Sequence, residues 1–291
     1  MNPRVSAYLP PWSILDPLLD QWLQEDIGRG DRTTQALHLQ DRQGKAYIRL
    51  KSQGVIAGLP IVERVFQRLT TAVVFTYEQA EGAICEEPTI VARIAAPLET
   101  LLLGERLALN CLMRLSGIAT LTHTYVQAIA DLPTQLVDTR KTTPGLRLLE
   151  KYAVAVGGGV NHRFGLDDAI LIKDNHIVAA GGITAAVEKV RQASPFPLTI
   201  EVETETLEQV RQALLLGVDV IMLDNMPIPE MTQAVAMIRA AAPHIKIEAS
   251  GNITLDTLRP VALTGVDYIS TSAMITRSPW LDFSLTIFES F

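Results

Sequence analysis

The chain has 291 residues, with 25 Lys and Arg against 32 Asp and Glu, and a formal net charge of -7 at pH 7. No basic face dominates, which excludes nonspecific nucleic-acid binding, and a 48% hydrophobic content supplies a core for one large α/β domain plus a smaller one. No run of roughly 18 apolar residues marks a membrane span, and Met1 to Trp12 lacks the apolar segment of a secretory signal.

Cys85 and Cys111 are the only cysteines, and neither sits in a CxxC or Cys/His cluster. A structural zinc or a disulfide framework is therefore not expected, and a reducing cytoplasm is.

Leu15, Leu18, Leu19, Trp22 and Leu23 fall at helical spacing, with Asp16-Pro17 as the expected start and Gly28 as the stop. The loop from Glu25 to Thr34 reads as a tight, capped turn. Ala46 to Lys51 alternates like a strand, and Gly54 to Gly58 bounds a short second one. Ile61, Val62, Val65, Phe66 and Leu69 form a helical stripe, then Val73 to Tyr77 and Thr89 to Ala95 read as strands. Strands and helices without strict alternation predict an α+β sandwich over about the first 110 residues. Leu98 to Ala130 is helical almost throughout, with a break expected near Ser116-Gly117; Arg106 and Arg114 lie on it, and nothing local separates Arg106 from a solvated surface arginine.

After Pro133 the texture changes. Strand-like runs recur at Leu136-Val137, Ala169-Ile172, Leu198-Val202, Val220-Leu223, Ile245-Ile247 and Tyr268-Ile269, and amphipathic helical segments separate most of them. Repeated βα units predict a parallel sheet with right-handed crossovers, and this many predict a barrel. Six clear units predict an incomplete, open one. The last segment, Ile275 to Phe291, carries Trp280, Phe283, Phe288 and Phe291 and is expected to pack elsewhere as a closing element. The domains expected are thus 1–115, completed by 276–291, and 116–275.

The strand ends collect the chemistry. In order they give Thr139, Arg140 and Lys141; Lys173; Glu201 and Glu203; Asp224 and Asn225; Glu248, Ser250, Gly251 and Asn252; Ser270, Thr271 and Ser272. Solvation alone does not account for so many charges on one rim, which is where α/β barrels bind ligands. Glu201 and Glu203, two apart, share one strand face and need cations or magnesium beside them if buried. Between the first two strands Arg147, Lys151, His162 and Arg163 extend the basic concentration, reading either as a solvated face or as a pocket for a polyanion. Gly157-Gly158-Gly159 reads equally as a phosphate loop or a flexible turn. Ser250-Gly251-Asn252, after the fifth strand and before a helix, reads as a phosphate loop.

At these residues the chain resembles the quinolinate phosphoribosyltransferase family. The likeness rests on EDIGRGDRTT, GERLALNCLMRLSGIAT, DTRKTTPG, GGGVNHR, IKDNH, IEVET, MLDNM, EASGNI and GVDYIS, spread over nearly the whole length. The resemblance implies an α/β sandwich followed by an open, seven-stranded α/β barrel, in a homodimer whose pockets are shared across the interface. It implies transfer of ribose 5-phosphate from phosphoribosyl pyrophosphate to quinolinate, with magnesium, releasing pyrophosphate and carbon dioxide. Arg140, His162 and Arg163 would grip the quinolinate carboxylates, with Thr139 beside them and Lys141 and Lys173 serving carboxylates and diphosphate. Arg106 would come from the neighbouring subunit. Glu203 and Asp224 would face the ribose and help hold magnesium; Lys141, Glu203 and Asp224 would be the catalytic set. Ser250, Gly251 and Asn252 with Thr271, Ser272 and Ala273 would take the 5′-phosphate.

Ser272 departs from the glycine usual in the family, and Thr276-Arg277-Ser278 stands where Thr-His-Ser is often found. Three other readings compete. A Schiff-base aldolase would use Lys173, although the rim is more cationic than a simple sugar phosphate requires. A noncatalytic anion binder gains nothing from Glu203 and Asp224. A molybdate-associated relative of similar architecture is weighed against the intact Arg140, His162 and Arg163 set.

Overall fold

Helix α1 (Trp12–Ile27) opens the described part of the chain, residues 7–39 and 42–290 of a computed structural model. Leu15, Leu19 and Leu23 form its buried stripe, one residue per turn. It begins four residues earlier than Asp16-Pro17, because the carbonyl of Pro11 accepts the first helical N–H groups, from Ile14 and Leu15. Pro17 sits inside on the exposed side. Gly28 does end the helix, at φ 54°.

Helix α2 (Arg32–Ala36) is capped by Asp31, and β1 (Gln43–Leu50) and β2 (Gly54–Val55) follow. Helix α3 (Leu59–Leu69) buries Ile61, Val62, Val65 and Phe66. It is tied to α1 by bidentate Arg64–Asp16 and Arg68–Asp20 pairs. Glu81 accepts the N–H groups of Gly58 and Leu59 at the α3 N-terminus, at 2.6 and 3.0 Å. Strands β3 (Val74–Tyr77), β4 (Ile84–Cys85) and β5 (Thr89–Pro97) come next, and β4 pairs only with β2.

Helix α4 (Leu98–Ala128) runs 31 residues without the break expected at Ser116-Gly117. Both residues serve packing. The Ser116 hydroxyl, fully buried, accepts the Ala57 N–H at 3.0 Å and donates to the Ala57 carbonyl. Gly117 lets another segment reach the helix: a Cβ there would lie 2.0 Å from the Pro279 carbonyl oxygen.

The second half alternates. In order come β6 (Gln135–Val137), α5 (Arg147–Val156), β7 (Ile170–Ile172), α6 (Asp174–Ala180), α7 (Ile183–Ala193) and β8 (Ile200–Thr204). Helix α8 (Leu207–Leu215), β9 (Val220–Asp224), α9 (Ile228–Ala241), β10 (Lys246–Ser250), α10 (Leu255–Ala262), β11 (Tyr268–Ser270) and α11 (Ala273–Thr276) complete it. The six strands form one parallel sheet in the order β6-β11-β10-β9-β8-β7. A single parallel bridge from Val137 to Val160 fills the seventh place. Among the described residues no ladder joins Val160 to β7, so the barrel is open there.

The last strand, β12 (Phe283–Ser290), pairs antiparallel with β1 and makes the sheet β12-β1-β5-β3. Phe283 is buried in this closing element, while Phe291 lies outside the described residues.

Two compact units result. One holds Met1–His123, Leu148–Gly158 and Arg277–Phe291; the other holds Thr124–Arg147 and Gly159–Thr276. The division differs from the sequence expectation chiefly at Leu148–Gly158, for which contacts within the first unit are the reason. The buried Glu150 carboxylate takes the Arg114 guanidinium at 2.6 Å, Tyr152 donates to Glu81, and Gly157 lies against the Ala119 carbonyl. Gly157 is thus a close-approach glycine. No helix among the described residues is long and apolar enough to cross a membrane.

Replacing Gly117 by alanine forces its Cβ into backbone that cannot rotate away. The Gly117→Ala chain is expected to lose about 3 kcal/mol of stability, read as a lower urea midpoint with an unchanged slope.

Candidate active site

The site is built within the second unit from Asp138, the first residue past β6. Its fully buried carboxylate accepts the backbone N–H of His162 at 2.8 Å on one oxygen and the Asn161 side-chain amide at 2.7 Å on the other. Val160 is already held by β6, donating to the Leu136 carbonyl and accepting from the Asp138 N–H. Residues 160–163 are therefore pinned along the barrel although they form no full strand. Asp138 is not among the rim residues expected from the sequence, although a carboxylate directly after a buried strand is the local signal for it.

Arg163 is 9% exposed and donates to the Ala169 carbonyl at 2.9 Å. Burial lowers its guanidinium from the ordinary value, and the neighbouring Arg140 charge adds to the effect. The Nε of Arg140 is itself buried without a hydrogen-bond partner. Two guanidinium groups in such proximity, one with an unused donor, call for an anion. Lys141 is exposed; its backbone N–H is held by Thr139 Oγ1 at 3.0 Å, and Arg147 braces the same loop through Thr142.

His162 is engaged at both ring nitrogens. Its Nδ1 accepts the Arg163 N–H at 2.7 Å, and its Nε2 lies 3.1 Å from Glu201 and 3.5 Å from Glu248. Burial, then the Glu201 carboxylate, pushes Glu248 well above the ordinary carboxylate range, while His162 and the Ser270 hydroxyl oppose that rise.

One step nearer the rim, Lys173 Nζ stands 3.4 Å from Glu203. Burial raises the Glu203 pKa; Lys173 opposes the rise and Asp224, on the adjacent strand, adds to it. Lys173 is the anticipated cation beside Glu203, while the neighbour of Glu201 is the His162 ring. Glu203 and Asp224 offer hard oxygens of the kind magnesium uses, commonly as one or two carboxylates completed by water and substrate phosphate. His162, Glu201 and Glu248 form a separate group of donor atoms, all within 4.8 Å of one another.

The loops after β9 and β10 interlock. Asn252 donates to Asn225 at 3.1 Å, and Asn225 donates to Asp224 at 2.8 Å and, through its backbone, to the Ser250 carbonyl. Asn225 and Asn252 both adopt positive φ, as does Gly251 at 100°. A Cβ on Gly251 would fall 2.2 Å from Asn225 Oδ1. Thr271 is buried, receives the Ala273 N–H and donates to the Ile253 carbonyl. Ser272 is not among the described residues with positive φ, so serine stands there without backbone strain.

Arg106 lies in the other unit, exposed on α4, with no hydrogen bond or ion pair among the described residues.

The model of the quinolinate phosphoribosyl transferase C-terminal domain matches residues 118–286, and that of the N-terminal domain matches residues 31–116. The chain belongs to the quinolinate phosphoribosyltransferase family. A probable nicotinate-nucleotide pyrophosphorylase (carboxylating) of Synechocystis is 59% identical over 98% of this chain and 97% of its own length. The human nicotinate-nucleotide pyrophosphorylase (carboxylating) is 40% identical over 99% and 96%. The crystal structure of NadC from Streptococcus pyogenes superposes with a TM-score of 0.91 at 40% identity, covering 96% of this chain and 99% of the other. The family fold, an open parallel α/β barrel with a separate antiparallel-sheet domain, is the one described above.

Removing the Asp138 carboxylate leaves the His162 and Asn161 donors without their acceptor. Asp138→Ala is expected to cost about 2 kcal/mol or more of stability, read by urea denaturation.

Proposed function

We propose that this chain catalyses phosphoribosyl transfer from phosphoribosyl pyrophosphate to the ring nitrogen of quinolinate, giving nicotinate mononucleotide, pyrophosphate and carbon dioxide in de novo NAD biosynthesis. The observation that carries the site assignment is the Arg140–Arg163 pair, in which Arg163 and the unused Arg140 Nε donor are buried, in the unit whose adjacent strands β8 and β9 carry Glu203 and Asp224 near their ends. A diacid answers the first feature and a developing cation the second.

Arg140 and Arg163 would take the carboxylates, with Thr139 shaping the loop and Lys141 reaching the substrate from it. Transfer begins as the bond from the ribose C1 to pyrophosphate lengthens and positive charge builds on the ring. Fixed carboxylates at Glu203 and Asp224 stabilise that charge where it develops. Lys173 would serve the departing diphosphate, and its pairing with Glu203 keeps both side chains placed beforehand. The quinolinate nitrogen then forms its bond to C1. Loss of the adjacent carboxyl as carbon dioxide leaves its electron pair on the ring carbon, next to a cationic nitrogen, and that carbon takes a proton.

Ser250, Gly251, Asn252 and the Thr271-Ser272-Ala273 turn would hold the 5′-phosphate. Glu203 and Asp224 would also hold magnesium, which supplies charge neutralisation to the diphosphate. A homodimer completes the proposal, with Arg106 lent to the neighbouring pocket. Its support is the exposed Arg106, without a hydrogen bond or ion pair among the described residues, together with the exposed Leu166 and Val178 on the segments flanking β7, which stands at the end of the sheet order. The cytoplasm is the compartment that its two free cysteines suit.

Offered quinolinate and nicotinate in parallel, with phosphoribosyl pyrophosphate and magnesium, the chain is expected to form nicotinate mononucleotide from quinolinate alone. Product from nicotinate alone would remove the two-carboxylate reading. Lys141→Ala and Glu203→Ala should each keep the fold and lose about 100-fold or more in turnover; near-normal rates would refute the corresponding role. Mixing Arg106→Ala with Lys173→Ala subunits should restore part of the activity, and exchange without recovery would count against a shared pocket.

A further inference from the structure

Beneath the rim lies a second tier of charge that the transfer chemistry does not use. Glu201 sits on β8 and Glu248 on β10, alternate strands of the barrel, 7% and 3% exposed. Alternate strands contribute side chains to the same interior layer of such barrels. Both carboxylates converge on one atom, His162 Nε2, at 3.1 and 3.5 Å. The other ring nitrogen, Nδ1, accepts the Arg163 N–H at 2.7 Å. An Nδ1 that accepts carries no proton, so the ring proton of the neutral imidazole is on Nε2 and is directed at the carboxylates.

We propose that Glu201 and Glu248 are positioning residues for Arg163. They hold His162 in its Nε2–H tautomer, so that Nδ1 anchors the Arg163 backbone and its guanidinium meets the substrate carboxylate in one fixed place. The series runs from the two carboxylates to His162, to the Arg163 N–H, and on to the guanidinium, whose other end is fixed by the Ala169 carbonyl. Without the carboxylates the imidazole loses the reason to keep its proton on Nε2. The Nδ1–H tautomer would then present a donor to the Arg163 N–H, and that contact would become a repulsion. The same three residues could be read as a metal-ligand set, since their donor atoms gather closely. The 3.1 Å separation of Nε2 and the Glu201 oxygen is already that of a hydrogen bond, and the Nδ1 contact is explained by the tautomer lock alone.

The kinetic part of this inference rests on the phosphoribosyl-transfer reading; the tautomer part does not. Nitrogen-15 NMR of the histidine side chains in the resting chain, with the His162 signal assigned by its loss in His162→Gln, should show an unprotonated Nδ1 and a protonated Nε2. Glu201→Ala should shift His162 toward the other tautomer, and Glu201→Gln, which keeps an acceptor oxygen, should restore it. If the alanine chain does not fold, Glu201→Met fills the space without an acceptor and carries the same comparison.

In turnover, Glu201→Ala is expected to raise the quinolinate KM about tenfold, as loss of one charge-assisted hydrogen bond would. The KM for phosphoribosyl pyrophosphate and kcat should stay within about twofold. A tautomer unchanged in Glu201→Ala, equal rises in both KM values, or failure of glutamine to rescue would each overturn the proposal. So would stoichiometric zinc binding to the resting wild-type chain that Glu248→Gln abolishes. A wild-type chain that binds and turns over neither substrate would refute the transfer reading, and the tautomer result would then decide this one.

Discussion

The arginine side of the rim depends on the Asp138 carboxylate standing where a strand ladder would otherwise continue. Residues 160–163 gain one backbone bridge from β6, too little to fix a chain segment by itself. Asp138 adds two hydrogen bonds to adjacent residues from a site with no water access. A bond to a charged acceptor contributes about 1.5–3 kcal/mol, enough to hold a loop against its own conformational entropy. Arg163, and with it the pairing with Arg140, inherits its place from that carboxylate.

The barrel interior carries an unusual load of charge, and its order matters more than its amount. An unpaired buried carboxylate costs several kcal/mol after relaxation. The chain meets that cost differently at each level: a histidine between Glu201 and Glu248 below, a lysine beside Glu203 at the rim. Glu248 answers with a strongly raised pKa, Glu203 with a rise that Lys173 holds back. The lower tier is thus suited to holding a proton still, and the upper tier to keeping its negative charge.

Much of this was legible from residues alone, because period and strand ends are local signals. All six barrel strands lie where short apolar runs break into charge, although two of the residues named from those ends, Glu201 and Glu248, lie buried beneath the rim. The failures are equally physical. A Ser-Gly pair usually weakens a helix, but in α4 both residues meet tertiary partners, Ala57 and the Pro279 backbone, that no local pattern announces. Asp16-Pro17 looked like a helix start because proline favours the first turn; the preceding Pro11 had already taken that role. Leu148–Gly158 lies inside the expected 116–275 domain, and Arg114, Glu81 and Ala119, distant in sequence, draw it into the first unit. Which nitrogen of His162 is occupied depends on three elements at once, beyond the reach of a local pattern.

Strand β12 has a further consequence, in the order of events during synthesis. It supplies one flank of β1, the strand that the ribosome delivers first and that β5 can already cover on its other side. The four-stranded sheet therefore waits for the last residues of the chain, while every strand of the barrel has emerged before them. Until then β1 shows an open hydrogen-bonding edge of eight residues, the kind of edge that recruits foreign strands. A chain cut short by only a dozen residues would keep its complete barrel and still fold as a liability to its neighbours.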